Sequence, residues 1–176
     1  MGTMIKCPLS TLGPIVAALA FTAVPVLAQG KKLIDVYDKW STFVEDEKGE
    51  LTCYAGSLPE KTEGKYTKRG DALTLVTHRP AEKSFDVISI QAGYIYRKES
   101  NVEVTIGGKR FELFTKGGNA WAKDSKSDRL MVAAMKSGDS MIVKGTSSRG
   151  TLTADTYSLS GFTAAYGAMR KACGRK

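Results

Sequence analysis

The sequence contains a single histidine, His78, within the segment 77–80 (Thr-His-Arg-Pro). A Ser-His-Asp hydrolase needs a histidine as its general base, and many such enzymes carry the nucleophile in a Gly-x-Ser-x-Gly turn. This chain has no Gly-x-Ser-x-Gly pattern. A zinc site is not favoured either, because such sites combine several His and Cys ligands. We interpret His78 as a residue at the surface or at the end of a strand, and predict no triad, no metal and no cofactor.

Paired carboxylates are the remaining route to catalysis, because a glycosidase needs two of them roughly 5–9 Å apart. Three candidate pairs are Asp46 with Glu47, Glu103 with Glu112, and Asp124 with Asp128. All three lie in charged turns or on the expected solvent face of strands, where acidic side chains are usually only solvated. A carboxylate-dependent glycan hydrolase is therefore the alternative hypothesis, and a protein without catalytic residues is the main one.

Basic residues indicate binding rather than catalysis. The chain has 26 Lys and Arg against 18 Asp and Glu, a formal net charge of +8, which attracts anions. The candidate anion-binding residues are Lys61, Lys65, Lys68, Arg69, Arg149 and Arg175. A lysine-rich solvated surface is the simpler alternative. We expect no nucleic-acid partner, because no basic helix or basic-aromatic motif of the kind that follows a phosphate backbone is evident.

The first 28 residues have the pattern of a cleavable secretory signal. Lys6 supplies the positive start, Leu12 to Leu27 is almost free of polar groups, and Val26-Leu27-Ala28 precedes the expected cut before Gln29. A membrane anchor is the alternative, since the apolar stretch approaches the roughly 20 residues needed to span a bilayer. Pro14 and Pro25 favour cleavage. We predict a signal over residues 1–28 and one β domain over residues 29–176.

Two cysteines remain after such a cut, Cys53 and Cys173, since Cys7 leaves with the signal. An even pair normally closes in an oxidising compartment. The wide separation of the two residues excludes the CxxC spacing of a redox site or a zinc knuckle. We predict a structural disulfide that ties the end of the chain to an early strand, with two free thiols as the alternative.

Alternation of apolar and polar residues predicts strands in the remaining chain. The predicted strands cover 40–44, 51–55, 73–77, 85–91, 102–106, 109–113, 141–145 and 152–159. A polar surface loop is expected over 57–70, and Tyr94 to Tyr96 would extend the fourth strand. Gly107-Gly108 suits a tight hairpin that pairs Val104 with Phe111 and Val102 with Leu113. That register also places Glu103 opposite Glu112, an unfavourable like-charge pair, so the exact register stays open.

Two helices complete the predicted fold. Ser127 can cap a short one, in which Leu130, Ala133 and Ala134 share a face and which Gly138 ends. The second follows Ser160, and its apolar face consists of Phe162, Ala165, Tyr166, Met169 and Cys173. The sequence therefore predicts a mainly β, single-domain antiparallel sandwich or partly open barrel of about eight short strands, with a short helix and a C-terminal helix.

The order of residues along the chain also resembles a known family. The similar elements are Trp40, Cys53, 68–70 (Lys-Arg-Gly) ahead of Leu73, Gly93-Tyr94, 106–109, 111–114, 120–122, 135–138, 149–151, 155–159, 161–165 and Cys173. This order is similar to the invasion-associated locus B (IalB) family, small exported proteins of alphaproteobacteria. The resemblance implies a periplasmic or outer-membrane-associated β protein with a disulfide. It implies no reaction, because the family has no established catalytic residues to carry over.

The function that the sequence favours is therefore that of a non-catalytic exported envelope protein. In some pathogenic relatives the family is linked to entry into host cells, so support of host-cell interaction is part of this hypothesis. The expected partner is an anionic envelope component, a lipid headgroup or a glycan, or a host surface protein. The expected location is periplasmic or secreted, with peripheral outer-membrane contact and no membrane span after cleavage. A protein inhibitor of a lysozyme-like enzyme is a further alternative, disfavoured because lysozymes are usually basic too.

Overall fold

The computed structural model describes Met1 and residues 30–174. The predicted signal beyond Met1 and the predicted basic residue Arg175 lie outside these residues. The strands are β1 Lys32–Tyr37, β2 Trp40–Glu47, β3 Glu50–Ser57, β4 Lys61–Gly64, β5 Leu73–Arg79, β6 Ser84–Gln91, β7 Asn101–Ile106, β8 Lys109–Lys116, β9 Asn119–Ala122, β10 Ser140–Thr146 and β11 Leu152–Ser158. The helices are α1 Ser125–Ser137 and α2 Phe162–Ala172.

All of these strands form one open antiparallel sheet, in the order β1-β2-β3-β5-β6-β9-β8-β7-β10-β11-β4. The chain leaves β3 and, after residues 58–60, becomes β4 at the far edge of the sheet. The backbone N–H of Glu60 donates to the carbonyl oxygen of Thr156 in β11 at 2.8 Å. Because this short connection joins distant parts of the sheet, the sheet curls into a partly open barrel. The predicted mainly β, antiparallel fold class is confirmed.

The described residues hold eleven strands, whereas the sequence predicts eight. The additional strands are β1, β4 and β9. Their apolar and polar residues do not alternate over a stretch long enough to predict a strand. β4 lies inside the segment 57–70 that is predicted as a loop, and it forms by pairing with β11, far away in sequence. Tyr94 to Tyr96 does not extend β6, since Tyr96 makes only an isolated bridge to Ser147.

The predicted hairpin register is present between β7 and β8. Val104 pairs with Phe111, Val102 with Leu113, and Glu103 with Glu112. Val102, Val104 and Leu113 are fully buried, so the sheet gains a continuous apolar face. This burial outweighs the like-charge pair, because fully burying such a side chain contributes about 1.5–3 kcal/mol, whereas a cross-strand pair contributes well under 1 kcal/mol when exposed.

The C-terminal helix α2 has the predicted buried face. Phe162, Ala165, Tyr166 and Met169 are buried, and α2 packs against β1, β2 and β3. Cys173 follows its last turn and forms the predicted disulfide with Cys53 of β3, with the two Cα atoms 5.9 Å apart. The disulfide therefore fastens α2 to the sheet. Neither helix among the described residues is long and apolar enough to cross a membrane.

The prediction for α1 is wrong in two respects. The side chain of Asp124, and not of Ser127, caps the helix by accepting the Ser127 backbone N–H at 2.7 Å. Leu130 is 55% exposed and Ala133 is also exposed, whereas Met131, Val132, Ala134 and Met135 are buried. The apolar residues of α1 itself are spread around most of its circumference, so its sequence alone does not determine which side packs against β6. Gly138 ends the helix as predicted.

His78 is completely buried one residue before the end of β5, so the surface interpretation is wrong and the strand-end interpretation holds. Its Nε2 atom lies 2.9 Å from Oδ1 of Asp86, and the hydroxyl of Tyr166 donates to the same oxygen at 2.5 Å. A register shift near His78 in the β5–β6 pair and the left-handed backbone of Asp86 accompany these contacts. Such an irregularity turns a side chain from one face of a sheet to the other, and alternation does not reveal it.

Asp128 gives the fold a pH dependence. Burial, with the nearby charges of Asp86 and Asp124, raises the pKa of the Asp128 carboxyl to about 6, although it accepts the Ile88 N–H at 2.9 Å. A folded-state pKa above the unfolded value means that the fold favours the protonated form. The stabilisation that protonated Asp128 gives to the fold is fully present below a pH of about 4 and is lost as the pH rises through about 6. Relative to Asp128→Asn, which stays neutral, the wild type should lose on the order of 1–3 kcal/mol of stability across this window.

Urea unfolding of both proteins at pH 4 and at pH 7 measures this difference. Asp124→Asn is a control of opposite sign, because hydrogen bonds from the start of α1 lower the pKa of Asp124. Its contribution is present at neutral pH and is lost as the pH falls. Equal stability differences at the two pH values for Asp128→Asn would show that the Asp128 carboxyl is not perturbed.

Candidate anion-binding site

A cavity of about 510 Å³ lies where three connecting segments meet at one side of the sheet. Its walls are 65–70, 93–95 and the β10–β11 connection from Ser147 onward, together with Thr153 of β11. Four of the predicted basic residues line it: Lys65, Lys68, Arg69 and Arg149. The structure thus brings together basic residues from segments about 80 positions apart in the sequence. We call this space the basic cavity.

Arg69 anchors the first wall and is not a free charge. Its two terminal nitrogens donate to the two carboxylate oxygens of Asp155 in β11 at 2.6 Å each, and its Nε donates to the Ala92 carbonyl oxygen at 2.7 Å. The side chains of Arg69 and Asp155 are only 6% and 4% exposed. Because the pair is buried and bidentate, Asp155 neutralises the guanidinium and fixes the segment 65–70 against β11.

Two tyrosines flank the Arg69 guanidinium. Its central carbon lies 5.1 Å from the ring centroid of Tyr94 and 5.6 Å from that of Tyr66. The Tyr94 hydroxyl is 2.6 Å from the hydroxyl of Thr153, and burial raises the Tyr94 pKa above its ordinary value. Both tyrosines provide aromatic surface at the cavity wall. Neither tyrosine is among the site residues predicted from the sequence.

The β10–β11 connection forms the second basic wall. The Ser147 N–H donates to the Thr151 carbonyl at 2.9 Å and the Ser148 N–H donates to the Ile95 carbonyl at 2.7 Å. These bonds hold Arg149 at the tip of a tight turn, where Gly150 has a φ of +86°. An Arg97 nitrogen lies 3.1 Å from where a Gly150 Cβ would be. Arg97 is thus a further cation beside the cavity. It could not be predicted from the sequence, because its position depends on this turn.

A close backbone approach joins the wall formed by residues 65–70 to the wall formed by residues 93–95. The Gly70 N–H donates to the Gly93 carbonyl at 2.9 Å, and a Cβ on Gly93 would lie 2.1 Å from the Gly70 carbonyl oxygen. Gly93 also has a φ of +72°, which side-chain-bearing residues rarely adopt. Only glycine therefore lets the two segments meet.

Gly93→Ala is expected to lower the free energy of unfolding by about 2–4 kcal/mol, through left-handed strain of about 1–2 kcal/mol and the clash with Gly70. Gly117→Ala is the matched control, because Gly117 has a φ of +62° but nothing within 4 Å of its added Cβ. Chemical denaturation of both variants measures the difference. Equal losses would mean that the approach of Gly70 and Gly93 has no energetic importance.

Of the other two predicted basic residues, Lys61 does not line the basic cavity. Lys61 lies on β4, where its Nζ forms an exposed ion pair with Glu63 at 3.0 Å. Arg175 lies outside the described residues. The anion-binding role of all six predicted residues stays a prediction. Besides the paired Arg69, the fold gathers Lys65, Lys68 and Arg149 at the basic cavity.

The carboxylate pairs considered for catalysis lie elsewhere. Asp46 accepts the Gly49 N–H within the β2–β3 turn, Glu103 and Glu112 face each other in the β7–β8 hairpin, and Asp124 and Asp128 belong to the start of α1. The residues lining the basic cavity include no carboxylate. In the part of the chain that the structure describes, no three His, Cys, Asp or Glu side chains form a group that could hold a metal ion.

The fold and the cavity define a class of protein: an open antiparallel β sheet with a disulfide-fastened C-terminal helix and a basic cavity at one side. The chain belongs to the invasion associated locus B (IalB) protein family, whose model matches residues 40–170. The resemblance seen in the order of residues is thereby confirmed. No curated protein gave a significant match to the sequence.

Among solved structures, the chain is similar to the crystal structure of invasion associated protein B from Bartonella henselae. The TM-score is 0.56 and the sequence identity is 13%, over 80% of this chain and 96% of that chain. At this identity the likeness shows a shared fold. It assigns no ligand or partner to either protein.

Proposed function

We propose that this protein is a non-catalytic, exported envelope protein that binds an anionic group of a surface glycan or lipid in the basic cavity. The observation that carries the proposal is the convergence of Lys65, Lys68 and Arg149 on one cavity whose lining residues include no carboxylate. Because Asp155 already neutralises Arg69, these three side chains supply the positive charge available to a ligand.

The chemistry of the wall favours a sugar that carries phosphate, sulfate or carboxylate groups. Lys and Arg donate charge-assisted hydrogen bonds to such groups. The hydroxyl of Ser148 and the aromatic rings of Tyr66 and Tyr94 lie beside them. Aromatic and hydroxyl side chains are suited to the apolar face and the polar edge of a sugar ring. A volume of about 510 Å³ is also within the usual range for small-molecule sites.

The proposed location follows from two features. The Cys53–Cys173 disulfide is of the kind that persists in an oxidising compartment, and the N-terminal sequence has the pattern of a secretory signal. The periplasm or the cell surface would supply both the oxidising conditions and a high density of anionic glycans and lipids. A role in host-cell interaction would use the same surface.

Calorimetric titration tests the proposal with a diphosphorylated glucosamine disaccharide as the probe and its unphosphorylated form as the comparison. The double variant Lys68→Ala/Arg149→Ala should bind the phosphorylated probe at least about tenfold more weakly, since each lost charge-assisted hydrogen bond contributes about 1.5–3 kcal/mol. Raising the salt concentration should weaken wild-type binding as well, because exposed charges are screened.

The matched control is Lys109→Ala/Arg129→Ala, which removes the same charge from exposed positions outside the basic cavity. This variant should retain the wild-type affinity. Equal weakening in both double variants would indicate a general charge effect. Absence of any binding, or equal binding of the unphosphorylated disaccharide, would contradict the proposed function.

A further inference from the structure

We infer that the face bearing the basic cavity docks on an anionic lipid bilayer, with exposed apolar side chains entering the interface around the bound headgroups. This inference rests on the proposed function and specifies the partner of the same site. It is carried by the position of three exposed apolar side chains, Leu58, Tyr66 and Ile95, beside the cations of the cavity.

The apolar residues flank the basic cavity. Ile95, which is 59% exposed, and Tyr66 line the cavity itself. Leu58, which is 62% exposed, lines an adjoining cavity of about 310 Å³ that shares Tyr66, Arg69 and Gly70 with it. The three side chains therefore belong to one continuous face, which we call the docking face. A soluble glycan would give Leu58 and Ile95 no apolar partner, whereas the acyl boundary of a bilayer would.

The backbone holds these side chains in fixed positions. Leu58 lies at the bend between β3 and β4, where the Ser57 hydroxyl donates to the Lys39 carbonyl at 2.7 Å and the Glu60 N–H donates to β11. Ile95 is held through its carbonyl, which accepts the Ser148 N–H at 2.7 Å. Their insertion would therefore order little additional backbone, which lowers the entropic cost of binding.

The charge of the docking face complements an anionic membrane. Lys65, Lys68 and Arg149 line the basic cavity, and Arg97 lies next to the Gly150 turn. Asp71 is the acidic residue lining the adjoining cavity of about 310 Å³, so the face keeps an excess of positive charge. Basic side chains beside exposed apolar ones are the combination that holds peripheral proteins at anionic bilayers, since electrostatic attraction and apolar burial add.

Vesicle flotation tests the inference with the mature protein and vesicles of phosphatidylcholine containing phosphatidylglycerol. Wild-type protein should float with these vesicles and not with vesicles of phosphatidylcholine alone. Leu58→Ser/Ile95→Ser should bind them at least about tenfold more weakly, because each serine removes apolar surface that the interface would bury. The single variant Leu58→Ser, which changes the adjoining cavity and not the basic cavity, should bind the soluble diphosphorylated disaccharide as the wild type does.

The matched control is Ile34→Ser/Val36→Ser, which removes two exposed apolar side chains from the edge strand β1. It should retain vesicle binding. A loss in this control with no loss in Leu58→Ser/Ile95→Ser would overturn the assignment of the docking face. Binding of the disaccharide without binding of the vesicles would overturn the bilayer inference and leave the proposed function intact, whereas failure to bind either probe would overturn both.

A tryptophan reporter provides a second measurement. The emission of Ile95→Trp should shift to shorter wavelength when anionic vesicles are added, because the indole enters a less polar environment. Leu130→Trp, at a similarly exposed position on α1, should show no shift. An unchanged Ile95→Trp emission with vesicle-bound protein would contradict insertion at this face.

Discussion

Asp155→Ala is expected to lower the free energy of unfolding by about 3–5 kcal/mol, the usual cost of removing one partner from a buried ion pair. In the wild type only 6% of the Arg69 side chain is exposed. The substitution leaves this buried guanidinium with no carboxylate to accept the hydrogen bonds from its two terminal nitrogens. The segment 65–70 would also lose its attachment to β11. Urea denaturation at neutral pH measures the stability, and titration with the phosphorylated disaccharide measures the associated loss of binding.

Two further variants separate this effect from a simple loss of charge. Glu63→Ala breaks the exposed pair with Lys61 and should cost no more than about 1 kcal/mol. The double substitution Arg69→Met/Asp155→Leu replaces both partners with apolar groups and should recover most of the stability lost in Asp155→Ala, since no unpaired charge stays buried. A double variant as unstable as the single one would contradict this explanation.

Removing the disulfide is the second change with a large expected effect. Cys53→Ala/Cys173→Ala should lower the free energy of unfolding by about 2–4 kcal/mol, because the bond closes a loop with a sequence separation of 120 residues and restricts the unfolded chain. Without the bond, α2 should pack less firmly on the sheet and β3 should be held less firmly in position. Urea unfolding compares the variant with the oxidised wild type.

Reduction of the wild-type protein is the corresponding chemical control. The reduced protein should unfold at the same urea concentration as the double alanine variant, apart from the small volume difference between the side chains. Identical unfolding of oxidised and reduced wild type would contradict a stabilising bond. Two titratable thiols in the native, purified protein would contradict the bond itself.

The elements that sequence reasoning predicts correctly depend on local information. The β7–β8 hairpin follows from Gly107-Gly108 between two alternating segments, and both its pairing and its register are present. The buried face of α2 follows from helical spacing, because its large apolar residues lie on one side only and no other side could pack against the sheet. In both cases neighbouring residues determine the structure.

The elements that it misses depend on distant contacts. β4 consists of four exposed residues and exists because it pairs with β11, so its own sequence resembles a polar loop. The burial of His78 depends on an irregular pairing of β5 with β6 and on a contact with Tyr166 from α2. The buried side of α1 is selected by the sheet it covers. Alternation and helical spacing do not carry this information.

The candidate site shows the same division. Composition and charge identify Lys65, Lys68 and Arg149, but the sequence does not reveal that they meet at one cavity. It also gives Arg69 the same role as these residues, whereas the structure pairs it with Asp155. That difference depends on the β11–β4 edge of the sheet, which brings the segment 65–70 next to Asp155. The assembly of the cavity is thus a consequence of non-local strand pairing.

A nuclear magnetic resonance titration would show at individual residues whether an anionic group binds in the basic cavity. Adding the diphosphorylated disaccharide to isotope-labelled protein should shift the backbone amide signals of residues 65–70 and 147–150, with little change along β1 or α2. The unphosphorylated disaccharide should produce much smaller shifts. Shifts confined to residues outside the cavity, or no shifts at all with the phosphorylated probe, would show that the basic cavity does not bind the anionic group.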